Sequence, residues 1–76
     1  MKELLEYILK SIVDDFDAIS IEEDFEEPNV VVYRIYADDD QKGAIIGRGG
    51  RTIKSIRNIL GIKAVREDKK VFVKVE

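Results

Sequence analysis

A chain of 76 residues, 45% apolar, supports one domain with a small core and leaves little room for a deep active-site cavity. It has no cysteine and no histidine. That excludes disulfides, thiolate and imidazole metal ligands, and every catalytic device built on an imidazole base. Charged residues reach 38% yet nearly cancel, to a net charge of −3. The opening Met1-Lys2-Glu3-Leu4-Leu5-Glu6 is too charged for a signal peptide. No apolar run approaches the ~18 residues of a membrane span, so a cytoplasmic location is expected.

The spacing of Leu4, Leu5, Ile8, Leu9 and Ile12 predicts an amphipathic helix over 2–13, ended by Asp14-Asp15. Residues 18–25 alternate, with Ile19, Ile21 and Phe25 on one side and Ser20, Glu22 and Asp24 on the other, as in a half-buried strand. Glu26-Glu27-Pro28-Asn29 reads as a turn. The β-branched and aromatic run 30–37 is a second strand, apolar on both faces and therefore central. Asp38-Asp39-Asp40 suits a helix start, and a short helix is expected over 39–46, broken by Gly47. A second helix should run from Arg51 to about Arg66, with Ile53, Ile56, Ile59 and Leu60 as its apolar stripe and Arg51, Lys54 and Arg57 toward solvent. Gly61 is a weak point within it. Glu67-Asp68-Lys69 turns the chain into a last strand in which Val71, Val73 and Val75 alternate with Phe72 and Lys74. The fold class is thus α+β, in the order α-β-β-α-α-β. Its strand–helix–helix–strand crossover requires a parallel pair and so a three-stranded mixed sheet, with the helices on one face.

The near-neutral total hides a segregation of charge. Residues 1–40 hold three bases against thirteen acids, a net of −10, and residues 41–76 hold ten bases against three acids, a net of +7. Lys42, Arg48, Arg51, Lys54, Arg57, Lys63 and Arg66 occur without one intervening acid, which points to a basic face aimed at a polyanion. At its centre is Ile46-Gly47-Arg48-Gly49-Gly50-Arg51-Thr52-Ile53. Glycines here let a ligand approach the backbone. The N–H groups that open the following helix attract anions, and Arg48 adds a planar fork suited to phosphate. Rival motifs fail. There is no Gly-Lys-Ser/Thr for a P-loop, and Thr52 stands where a dinucleotide fingerprint needs glycine. A calcium loop opening at Asp38 would place Lys42 and Gly49 at ligand positions. No metal or other cofactor is expected. Ser11, Ser20, Thr52 and Ser55 lack a His or Cys partner, so an enzyme is not expected either.

Ile-Gly-x-x-Gly-x-x-Ile between two short helices resembles the KH domain signature, and the element order resembles the prokaryotic, type II arrangement. The likeness spans residues 1–76 as one KH domain, the size of the small bacterial single-KH RNA-binding proteins of the KhpA type. It implies that Gly47 and Gly50 are the signature glycines, Arg48 and Gly49 the central pair, and Ile46 and Ile53 the flanking apolar positions. It also implies that the loop clamps about four nucleotides of single-stranded RNA. Phosphates would meet the loop, Arg48 and Arg51, with Lys54, Arg57 and Lys42 extending the basic track. Bases would turn into an apolar groove walled by Ile45 or Ile53. With no aromatic near the loop, stacking is expected to be minor. The implied role is post-transcriptional regulation or RNA chaperoning. The implied partner is a second copy of this chain or a larger KH-containing protein of the Jag/KhpB type. The alternative is a protein-interaction module that works through its acidic half, for example on a ribosomal surface.

Overall fold

In the computed structural model, which describes residues 1–76, the first apolar period forms helix α1 (Lys2–Ile12). Leu5 and Leu9 are fully buried, with Leu4, Ile8 and Ile12 packed around them. The helix stops at Ile12 rather than at the aspartates, because Val13 is already extended (φ −106°, ψ 149°). A single 3-10 turn at Phe16–Ala18 follows, too short to leave a periodic signal.

Strand β1 (Ser20–Glu27) pairs antiparallel with β2 (Val30–Tyr36), and β2 pairs parallel with β3 (Lys70–Val75), in the sheet order β1-β2-β3. The crossover between the parallel strands is made by α2 (Asp39–Ile46) and α3 (Arg51–Arg66). Val31, Tyr33, Ile35 and Val73 face the helices. They meet Leu5 and Leu9 of α1, Ile45 of α2, and Ile53, Ile56 and Leu60 of α3 in one core. Each such side chain contributes about 1.5–3 kcal/mol on burial. Tyr33 joins this core, and its hydroxyl donates a 2.7 Å hydrogen bond to Glu23 across the β1–β2 pair.

Two expectations change. Ile59 is 45% exposed. The buried row is Ile53, Ile56, Leu60 and Ala64, and a residue next to Leu60 lies about 100° round the helix from it. Phe25 is 55% exposed. It stands near the far end of an edge strand, where the ladder slips between Phe25 and Glu27 and leaves Glu26 as a bulge. The expected continuation of α3 through Gly61 to Arg66 is observed, a helix of 16 residues.

The sheet order separates the charges. Edge strand β1 carries Glu22, Glu23, Asp24, Glu26 and Glu27, all exposed. The opposite edge, β3, carries exposed Lys70 and Lys74, and α3 packs beside it with Arg51, Lys54, Arg57, Lys63 and Arg66. On the sheet face away from the helices, Arg34 of β2 is held by Asp24 (3.3 Å), Glu22 (3.4 Å) and Glu76 (3.8 Å).

Candidate nucleic-acid interface

The two crossover helices begin differently. At α2 the Asp38 carboxylate accepts the Gln41 N–H at 2.9 Å, and Asp39 and Asp40 occupy the first turn. Gln41 is buried, and its Nε2 also donates to Asp38 at 3.3 Å. The positive end of this helix is therefore satisfied by its own chain. At α3 the capping residue is Gly50, which offers no side chain, and no acid lies in the first turn. Its opening N–H groups have no side-chain acceptor and favour an external anion.

The turn between the helices is built from glycine conformations. Gly47 ends α2 with φ 77° and ψ 171°, its N–H bonded to the Gly43 carbonyl at 2.9 Å. That backbone region is almost confined to glycine. A Cβ at Gly47 would also collide with Thr52, 2.7 Å from its Cβ and 2.9 Å from its amide nitrogen. Gly49 (φ 65°) and Gly50 (φ 77°) are left-handed, but a Cβ on either would meet open space. The Gly50 N–H closes the turn on the Gly47 carbonyl at 3.1 Å. Thr52 thus fits against Gly47 and sets how closely α3 follows α2.

Around this turn Arg48, Arg51 and Lys54 are exposed and Lys42 is half-buried, and none of the four is in an ion pair. Elsewhere Lys63 and Lys69 both reach Glu67, at 3.4 and 3.8 Å. Arg48 and Arg51, two of these unpaired cations, stand directly at the uncapped start of α3.

The other candidate residues divide. Ile46 is exposed beside the loop, whereas Ile53 is buried and anchors α3 to the core. Ile45 is fully buried and forms no wall of an open groove, because it points from α2 into the core. Arg57 does not project freely to solvent. Its Nε (3.2 Å) and Nη2 (2.9 Å) both donate to the Val73 carbonyl, binding α3 to the outer edge of β3. Two shallow depressions run along that edge. One, of about 240 Å³, is lined by Arg57, Val71, Phe72, Val73 and Lys74. The other, of about 300 Å³, is lined by Gly61, Ala64, Val65, Lys69, Lys70, Val71 and Phe72. Together they form the apolar groove between helix and sheet. Phe72 in it was not anticipated, and the alternation Lys70-Val71-Phe72-Val73-Lys74, which turns the ring outward between two lysines, was the available signal.

A helix and an edge strand leading into a strand–helix–GxxG–helix–strand crossover, with the glycine turn flanked by free cations, define the type II KH fold. The family model for the KhpA/KhpB KH domain matches residues 2–75. The chain is 39% identical over 75 residues to the RNA-binding protein KhpA of Clostridium acetobutylicum, covering 99% of both chains. It is 39% identical to that of Thermotoga maritima, covering 99% of this chain and 97% of the relative. It is 37% identical to that of Chlamydia trachomatis, with 99% and 95% covered. No solved structure matches. The chain belongs to the KhpA/KhpB KH domain family.

Proposed function

We propose that residues 1–76 act as one KH unit that binds single-stranded RNA, about four nucleotides at a time, through the Gly47–Gly50 loop and the basic first half of α3. The observation that carries this reading is the contrast between helix starts: α2 is capped by Asp38, whereas α3 is capped by a glycine and ringed by unpaired cations. The relatives named RNA-binding protein support it. Phosphates would lie against the loop backbone, Arg48 and Arg51, with Lys54 and Lys42 flanking. Ile46 would offer apolar contact at the loop, and Ile53 would hold α3 in place beneath it. Arg57, already committed to β3, would mark the mouth of the groove that receives bases.

So small a site gives weak binding, micromolar or weaker. A second KH unit would raise the effective concentration, supplied by another copy of this chain or by a larger KH-containing partner of the Jag/KhpB type. A role in post-transcriptional regulation or RNA chaperoning in the cytoplasm follows from that mode of binding.

The test is fluorescence anisotropy with labelled mixed-sequence RNA at 50 and 200 mM salt, comparing the wild type with Arg48→Asp/Gly49→Asp. Asp is among the residues that best tolerate a left-handed backbone, and circular dichroism verifies folding. Each phosphate contact adds about 0.7 to the log–log salt slope. Four contacts would therefore weaken wild-type binding about fifty-fold across this range, and the folded double variant should lose it. Equal binding by both proteins would remove the loop from the interface and turn attention to the acidic edge as a protein-binding surface.

A further inference from the structure

The two outer strands of the sheet are finished differently. At β3, Arg57 reaches over from α3 and gives two donors to the Val73 carbonyl, which closes that edge part-way along. At β1 nothing does so. Ser20–Glu27 pairs with β2 alone, and no side chain bonds its backbone. Its outward N–H and C=O groups therefore form an open ladder. The two faces of this strand differ in chemistry. Toward the helices, Ile21 is half-buried and Phe25 is exposed, in register with Ile35 and Val31. On the other face Glu22 and Asp24 stand in register with Arg34 and Val32. Arg34 is the single cation there, shared by three carboxylates. Glu26 and Glu27 are in no ion pair. Five acids and no base on an open edge repel the same strand of a second copy. A cationic strand meets the opposite force.

We propose that β1 is a docking edge for an extended, Lys- or Arg-rich segment of another protein, which adds to the sheet as a fourth strand. The surface lies across the sheet from β3 and α3, and the proposal stands apart from the RNA-binding reading. Main-chain hydrogen bonds to an open edge supply affinity, and alternate side chains supply specificity. Opposed Cβ atoms on neighbouring strands lie about 5 Å apart. A Lys or Arg opposite Glu22 or Asp24 therefore reaches the carboxylate from the side away from Arg34, and continues the row of alternating charge that Arg34 begins. The residues between point toward the helices and meet Ile21 and Phe25, so they are apolar. The segment recognised thus alternates basic and apolar residues. Its length is bounded as well. The ladder slips between Phe25 and Glu27, so a regular partner strand pairs with residues 20–25.

The experiment titrates isotope-labelled protein with a blocked eight-residue peptide that alternates lysine and valine, reading amide shifts and hydrogen exchange by NMR, with sedimentation velocity for mass. Two peptides serve as controls. A fully N-methylated form keeps the charge but donates no backbone hydrogen bond, and a glutamate–valine form reverses the charge. Glu22→Gln/Asp24→Asn and Phe25→Ser are measured beside the wild type, with circular dichroism for folding; Phe25→Ser leaves the Arg34 ion pairs intact. The lysine–valine peptide should shift residues 20–25 most, and their outward amides should exchange more slowly in the complex. Each backbone hydrogen bond is worth about two- to tenfold in affinity, so the N-methylated peptide should lose binding, and the glutamate peptide should not bind. Removing the two carboxylates should weaken binding about two- to thirtyfold and reduce its salt dependence. Phe25→Ser should weaken it by up to about fivefold. No binding of the lysine–valine peptide overturns the proposal. Equal binding of its N-methylated form does too, since charge attraction without strand addition would explain it, and so do shifts centred outside β1. A dimer of the protein alone, with the outward β1 amides already slow to exchange, would give the edge to a second copy and overturn it as well.

Discussion

Gly47→Ala should be far more damaging than the same change two residues later. At Gly47 two penalties combine. The backbone region φ 77°, ψ 171° costs a non-glycine residue about 1–3 kcal/mol. The added Cβ also presses on the Thr52 side chain and on its amide nitrogen at 2.9 Å. The amide cannot rotate away, so relief requires moving the start of α3, an overpacking cost of about 1–3 kcal/mol. The sum, about 2–6 kcal/mol, compares with a total stability of about 4–11 kcal/mol for a chain of this size. Gly49 has a left-handed backbone (φ 65°, ψ 20°) with nothing near its Cβ position, so Gly49→Ala should cost only about 1–2 kcal/mol. Urea titration of both variants measures the difference, and an unchanged m-value would show that the same unfolding is being compared. In thermal melts Gly47→Ala should lower Tm by about 10 °C or more. If the two substitutions prove equally mild, the close fit of Thr52 against Gly47 does not constrain the turn.

Three further expectations follow from local features. Gly61 lies inside α3, and nothing stands within 4 Å of its Cβ position; Gly61→Ala should therefore stabilise the protein by about 0.5–1 kcal/mol in urea titration, and a loss would reveal a steric demand at that site. Asp38→Ala removes the cap of α2 and the partner of the buried Gln41 amide, and should cost about 1–2 kcal/mol by the same measurement. Tyr33 has its pKa raised, first by burial and then by its hydrogen bond to Glu23. A raised native pKa means that the contribution of this group is complete below the unfolded value near 10 and is lost as pH rises beyond it. Above pH 10 the wild type should lose stability more steeply than Tyr33→Phe, by up to about 1.4 kcal/mol per pH unit; parallel curves would show that Tyr33 does not titrate with unfolding.

Much of this architecture was legible in the chain because its signals are local and repeated. The 3.6-residue spacing of Leu5 and Leu9, the unbroken run Val30–Tyr36 and the Asp38 cap each depend on a few neighbouring residues, and the element order then required the parallel pair. The misplaced residues needed tertiary information. Ile59 and Leu60 are adjacent and equally apolar, and only the sheet beneath α3 decides which is covered. Phe25 obeys the alternation of its strand, yet sits at a thinly covered edge. Ile45 and Ile46 raise the same ambiguity at the end of α2, where Ile45 turned inward and Ile46 outward. At the site, the glycines and the basic helix were readable from spacing. The bond from Arg57 to the Val73 carbonyl spans 16 residues and has no local signature. Phe72 joins the groove only because β3 is an outer strand packed beside α3.

The separation of acidic β1 from basic β3 bears on how the molecule meets a polyanion in solution. The two outer strands are about 10 Å apart, which is one Debye length at 0.1 M salt. An approaching anionic strand at that ionic strength feels mainly the side it is nearest, so the encounter favours arrivals with β3 foremost. At 0.01 M the screening length grows to about 30 Å, close to the 34 Å long axis of the molecule. The same strand then senses the whole charge of −3, and repulsion from the far edge offsets part of the attraction. Association should therefore gain less from dilution of salt than the count of loop cations implies, with the sheet acting as a vane that orients the collision.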